Sequence, residues 1–184
     1  MDPTKEPDDR NRNVASWTGE VEELLRDWHR RMYASQHAYY REAERFRRWH
    51  FWLGVPAVIL SSVVGTTVFA TLQKQEIDIP FRVAIAFVSI VAAVFSGLQT
   101  FLRLAETASA HGVAADWYSA IRRDIEEVQA LPCEERGHSK VCLDALRKEI
   151  NKAVQKSPEL RESLWIEVVE RFGIDEPPGA RKGI

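Results

Sequence analysis

The sequence has no Asp, Glu, Lys, Arg or His between Phe51 and Leu72, and none again between Val83 and Leu102. A buried helix of a soluble protein is usually interrupted by charge within about 10–14 residues. These two gaps last 22 and 20 residues. Crossing a hydrocarbon core about 30 Å thick takes about 20 apolar residues. Two adjacent runs of that length predict a transmembrane hairpin and an all-α membrane protein. Neither run holds an ionisable group, which argues against a proton relay, a voltage sensor or an ion-coupled transporter.

Other absences narrow the chemistry. The only cysteines are Cys133 and Cys142, too far apart for a CxxC pair, and His138 between them does not complete a zinc set. There is no glycine-rich phosphate loop, no HExxH and no GxSxG. No catalytic, metal or cofactor-binding residue is therefore expected, and an enzyme is disfavoured. His29, His37, His50 and His111 all fall on helical stretches. His29 and His37, eight residues apart, read as packing or solvated groups sharing a face. The formal net charge of -2 supplies no bulk attraction for nucleic acid or acidic lipid. A cleaved leader is not expected, because the first apolar run begins fifty residues in without a small-residue cleavage motif.

The chain outside the two runs is dense in charge, which is how their presence is compatible with a mean hydropathy of -0.29. Arg31, Arg41, Arg45, Arg47 and Arg48 precede the first run. The connecting segment "QKQEIDIPFR" offers only Lys74 and Arg82, offset by Glu76 and Asp78. Positive flanks stay on the cytoplasmic side. The expected topology is a multi-pass protein of the inner (plasma) membrane with both termini cytoplasmic. Trp49, Phe51 and Trp52 fall where an aromatic belt meets the headgroups, and Phe69 and Phe81 suit the opposite interface. Pro56, close after Gly54, removes a backbone hydrogen bond a turn inside the first run. A kink is expected there, and Gly54 and Pro56 are the hinge candidates.

The expected organisation is a disordered tail at 1–13, a cytoplasmic helix at 14–50, spans at 51–72 and 83–102, and an external loop at 73–82. Cytoplasmic helices follow at 103–131, 139–156 and 157–173, and a second disordered tail at 175–184. Before the membrane, Val21, Leu25, Trp28, Met32, Ser35, Tyr39, Ala43, Phe46 and Trp49 step by threes and fours along one helix face, with Thr18 as N-cap. After it, Ala110, Ala114, Trp117, Ile121, Ile125 and Val128 do the same, with His111, Tyr118 and Ile125 spaced seven apart. Packing these stripes together makes an antiparallel, coiled-coil-like stalk. Val141, Leu143, Leu146, Ile150 and Val154 mark a short amphipathic helix. Ser157 as cap, Pro158 at the first helical position and Gly173 at the end mark the last one.

Inside the spans, small residues recur every four positions: Ala57, Ser61 and Gly65 in the first, Ser89, Ala93 and Gly97 in the second. That spacing lets helix backbones approach closely in lipid. The stripes either pack the hairpin against itself or join neighbouring protomers. Hydroxyls such as Thr66 can bond back to their own helix, whereas Gln99 is costlier to bury. Two helices cannot enclose a pore, so conduction would require several copies.

The blocks "LGVPAVILSSVVGTTVFATL" and "AAVFSGLQTFLRLAETASAHGVAADWYSAIRRDIEE", with the upstream "DWHRRMYASQHAYYREAERFRRWHFWLG", resemble the SLATT family. These are two-transmembrane effector domains associated with SMODS nucleotide synthases and SLOG sensors. The likeness covers about residues 20–170, within an expected SLATT-like domain at 14–174. It implies a pore-forming effector of a prokaryotic conflict (antiviral) system that oligomerises and permeabilises the membrane on a signal. The implied partners are the lipid bilayer, further copies of the chain, and a nucleotide-signal synthase or sensor encoded nearby; nucleic acid is not among them. The alternative is a membrane-anchored helical scaffold or adaptor without pore activity.

Overall fold

A computed structural model describes residues 16–71 and 78–174. The expected tails and residues 73–77 of the expected loop lie outside the described residues. The described chain forms helices α1 (Gly19–Thr71), α2 (Ile79–Leu102), α3 (Leu104–Ala130), α4 (Ser139–Lys156) and α5 (Glu162–Phe172), and no strand occurs among the described residues. Thr18 caps α1 as expected, its Oγ1 accepting from the Val21 N–H at 3.4 Å. The backbone is helical through both Gly54 and Pro56.

α2 starts at Ile79, so residues 79–82 belong to a helix and not to the expected loop. Pro80 explains the difference, since a proline in the first turn lacks only an N–H that has no intrahelical partner anyway. The other end of α2 falls where the uncharged run ends. Arg103 adopts a left-handed conformation, φ 44° and ψ 37°, uncommon for a residue with a side chain, and separates α2 from α3. Two compact units result, one made of residues up to Glu42 with Ala110 onward, the other of Ala43–Ser109.

In the first unit, Leu25, Met32 and Tyr39 lie seven residues apart on α1 and are buried. They pack with Tyr118, Ile121 and Ile125 of α3 and Leu146, Ile150 and Ala153 of α4. Each fully buried apolar side chain of this size contributes about 1.5–3 kcal/mol. The flanking polar contacts run antiparallel. His29 meets Glu126 at 2.8 Å, Gln36 accepts from Arg122 at 3.1 Å, and Tyr40 donates to Asp116 at 2.6 Å. Ala110 and Val141 are exposed, contrary to their place on the expected stripes. On α3 the buried line runs His111, Ala114, Tyr118, Ile121, Ile125, one position off Ala110.

The end of α4 corrects another expectation. Ser157 does not begin the last helix but closes α4, its N–H and its Oγ both bonding to the Ala153 carbonyl at 2.9 and 2.7 Å. Residues 158–161 are then non-helical and α5 starts at Glu162. The reason is tertiary. Held out of a helix, this stretch brings the Pro158 carbonyl to the Tyr39 hydroxyl at 3.0 Å and Arg161 to Glu42. Gly173 ends α5 as expected, at φ 58°, where a residue with a Cβ would be strained. Ile174 then folds under the helix beside Leu164, Val168, Ala34 and Ala38.

Candidate functional site

The second unit is the apolar helix pair. Within α1's uncharged run the buried or half-buried positions include Ala57, Leu60, Val64 and Thr67; within α2 they include Ile85, Ser89, Ala92, Phe95 and Gln99. Steps of three and four mark one face of each helix, the seam between them. Most of the other side chains of the two runs are exposed. Val58, Phe69, Phe87, Ile90 and Phe101 are each more than half exposed. A contiguous exposed apolar surface of this kind marks contact with a membrane or with another protein surface. Both helices are long and apolar enough to cross a membrane, and only 6% of each apolar window is buried within the chain.

The predicted packing residues divide between two faces. Ala57 is buried, and Ser89 and Gln99 are half-buried in the seam. Ser61, Gly65, Thr66, Ala93 and Gly97 are all exposed on other faces. A Cβ built on Gly65 or Gly97 meets no atom within 4 Å, while one built on Gly54 comes within 2.8 Å of the Gln99 amide nitrogen. The close approach within the pair is therefore at Gly54 and Gln99, about three turns along from the glycine at position 65. The seam steps 57, 60, 64, 67 and not 57, 61, 65. A strict four-residue step drifts round the helix, which is why the small stripes leave the seam after their first members.

Several hydroxyls inside the apolar runs bond back to their own helices. Ser62 donates to the Val58 carbonyl at 2.8 Å, Thr66 to Ser62 at 2.9 Å, Thr67 to Val63 at 2.7 Å and Ser89 to Ile85 at 2.8 Å. None of these bonds joins the two helices. These hydroxyls thus leave the packing of the two helices to van der Waals contact and to Gln99.

At the α1 entrance to the apolar run, Trp49, Phe51 and Trp52 are 53%, 64% and 71% exposed. Trp49 is thus not part of the continuous buried stripe expected from its spacing. Arg103 and Glu106 pair with each other and stay exposed.

The first unit holds a buried polar group that periodicity did not flag. Glu42 is 2% exposed and accepts two hydrogen bonds from the Arg161 guanidinium, both 3.0 Å. Those bonds hold Arg161 above the ordinary arginine range. His111 is buried nearby; burial pushes its pKa down and the Glu42 carboxylate pulls it back up. Tyr39 stacks on Tyr118 with ring centroids 5.3 Å apart, and burial raises both hydroxyls. A signal for Glu42 was present, because it continues the seven-residue spacing of Trp28 and Ser35.

His37 stands against Phe172 of α5, ring centroids 5.7 Å apart, with a buried Nδ1 that makes no hydrogen bond. Cys133 and Cys142 are free thiols packed against the core, and burial pushes Cys142 up. No cluster of three or more His, Cys, Asp or Glu that could hold a metal occurs among the described residues. The chain matches no protein-family model, curated protein or solved structure.

Proposed function

We propose that the chain is a two-span membrane effector of the SLATT type that assembles from several copies and permeabilises the membrane on a signal. In this reading the helix pair is a transmembrane hairpin, its arginine-rich end faces the cytoplasm, and the first unit is the cytoplasmic assembly and signal-receiving part. A prokaryotic antiviral system with a nucleotide-signal synthase or sensor fits that role. The observation that carries it is the outward position of Ser61, Gly65, Ala93 and Gly97. A hairpin that only anchored would need no small residues on its lipid-facing side, whereas protomers packing backbone to backbone would. No ionisable side chain lies between Phe51 and Leu72 or between Val83 and Leu102, which suits a passive pore better than a coupled transporter.

The test is induction in a bacterial host with membrane potential as readout, wild type beside Gly65→Leu at matched membrane levels. Depolarisation by wild type and not by the variant supports the effector reading. If neither depolarises, alone or with a candidate signalling partner, and a hairpin of unrelated sequence preserves function, the chain is a membrane-anchored scaffold.

A further inference from the structure

We infer that the end of the helix pair carrying Arg47, Arg48, Phe51 and Trp52 is a binding site for anionic phospholipid headgroups. The inference rests on the two-span reading and adds the chemistry of the lipid.

Arg47 precedes Phe51 by four residues, and Arg48 precedes Trp52 by four. All four side chains are exposed. Residues four apart lie on the same face of a helix, about 6 Å apart along its axis. Each cation therefore stands one turn outside an exposed ring. A ring at the carbonyl layer of a leaflet then places its guanidinium at the phosphates, where the planar fork can take two oxygens.

These arginines are poorly neutralised by the protein. Arg47 meets Glu44 only at 3.6 Å with both side chains well exposed, a pair worth little. Arg48 makes no hydrogen bond or ion pair among the described residues. Among the described residues, the opposite end of the pair offers one exposed cation, Arg82, close in sequence to exposed Asp78, and Lys74 in the connecting sequence is offset by Glu76. The positive charge is therefore local to one end, in a chain whose net charge is -2. A zwitterionic headgroup carries its own ammonium and gains little from two adjacent guanidiniums, whereas a net-negative headgroup gains from each.

The test uses the purified full chain in micelles containing equal phosphatidylglycerol and phosphatidylcholine, with retained lipids counted by native mass spectrometry. Wild type retains phosphatidylglycerol in preference. Arg47→Gln with Arg48→Gln lowers that preference by about fivefold per charge. Arg47→Lys with Arg48→Lys keeps most of it, and Arg82→Gln leaves it unchanged. Equal retention of the two lipids by wild type, or an effect of Arg82→Gln as large as that of the pair, overturns the inference. Alkaline carbonate extraction separates the two levels. A chain that stays in the pellet but shows no lipid preference has lost only the headgroup site; one that is released has lost the two-span reading, and this inference with it.

Discussion

Glu42 and Arg161, 119 residues apart, form a two-pronged ion pair in which the carboxylate is 2% exposed and the guanidinium side chain 47%. The asymmetry makes the arginine the member to remove. Arg161→Ala should strip a buried carboxylate of its main counter-charge and destabilise the folded chain by about 2 kcal/mol, below the figure for a fully buried pair because Arg161 is half in solvent. Arg161→Lys keeps the charge and loses the fork, so its loss should be smaller. Denaturant unfolding of the purified chain in detergent measures both. An Arg161→Ala midpoint equal to wild type would mean that the pair contributes nothing.

The contact of α5 with α1 should weaken in acid. Burial, then Arg171 and Arg41, push the His37 pKa below its ordinary 6.5, and only Glu167 opposes them. The undocked state therefore takes up a proton first. Stability from keeping His37 neutral is complete above pH 6.5 and is lost as the pH falls through the lowered value. Backbone amides of residues 164–172 should exchange hydrogen faster relative to the core of α3 on going from pH 7.5 to 5.5. His37→Gln should remove the His37 part of that dependence, and an unchanged profile would exclude it.

Gly54 and Gly65 should respond differently to enlargement. A Cβ at 54 comes within 2.8 Å of the Gln99 amide nitrogen, the far end of a side chain that can swing aside, so Gly54→Leu should destabilise the helix pair by no more than about 1 kcal/mol. Adding Gln99→Ala should restore much of the loss, a coupling read from a double-mutant cycle in detergent. A Cβ at 65 meets nothing within 4 Å and the position is exposed, so the effect of Gly65→Leu on the stability of a single chain should stay within about 0.5 kcal/mol. A loss of oligomer size or activity in Gly65→Leu then reports contact between copies.

Leu25 is fully buried where α1, α3 and α4 share one core. Leu25→Ala should cost about 3 kcal/mol, while Val141→Ala, at a side chain 70% exposed, should stay within about 0.5 kcal/mol. Thermal unfolding of the two variants against wild type checks the register of α1 and α4. Similar losses in both would place Val141 in the core as well.

Most of the helices are legible in the sequence because their causes are local. Thr18 can cap α1, and Gly173 can turn left-handed where α5 must stop. The seven-residue spacing of Leu25, Met32 and Tyr39 declares a buried face before any partner is known. Ser157 and Pro158 misled for the same reason. The pattern is a good local start signal, yet the start was displaced by contacts that Tyr39 and Glu42 make from more than a hundred residues away.

By itself the sequence determined where water is tolerated. Two uncharged runs, flanked by arginine and aromatics on one side, dictate long apolar helices whatever they pack against, since the cost of leaving such surface in water depends on composition alone. Only the tertiary structure decided which side of each helix meets a neighbour. Steps of three and steps of four are equally available to a helix, and the choice between them is made by the opposing surface. That choice put Ala57 and Gln99 in the seam and turned Gly65 and Gly97 outward. It also gave Glu42 a partner that no spacing along the chain could have named.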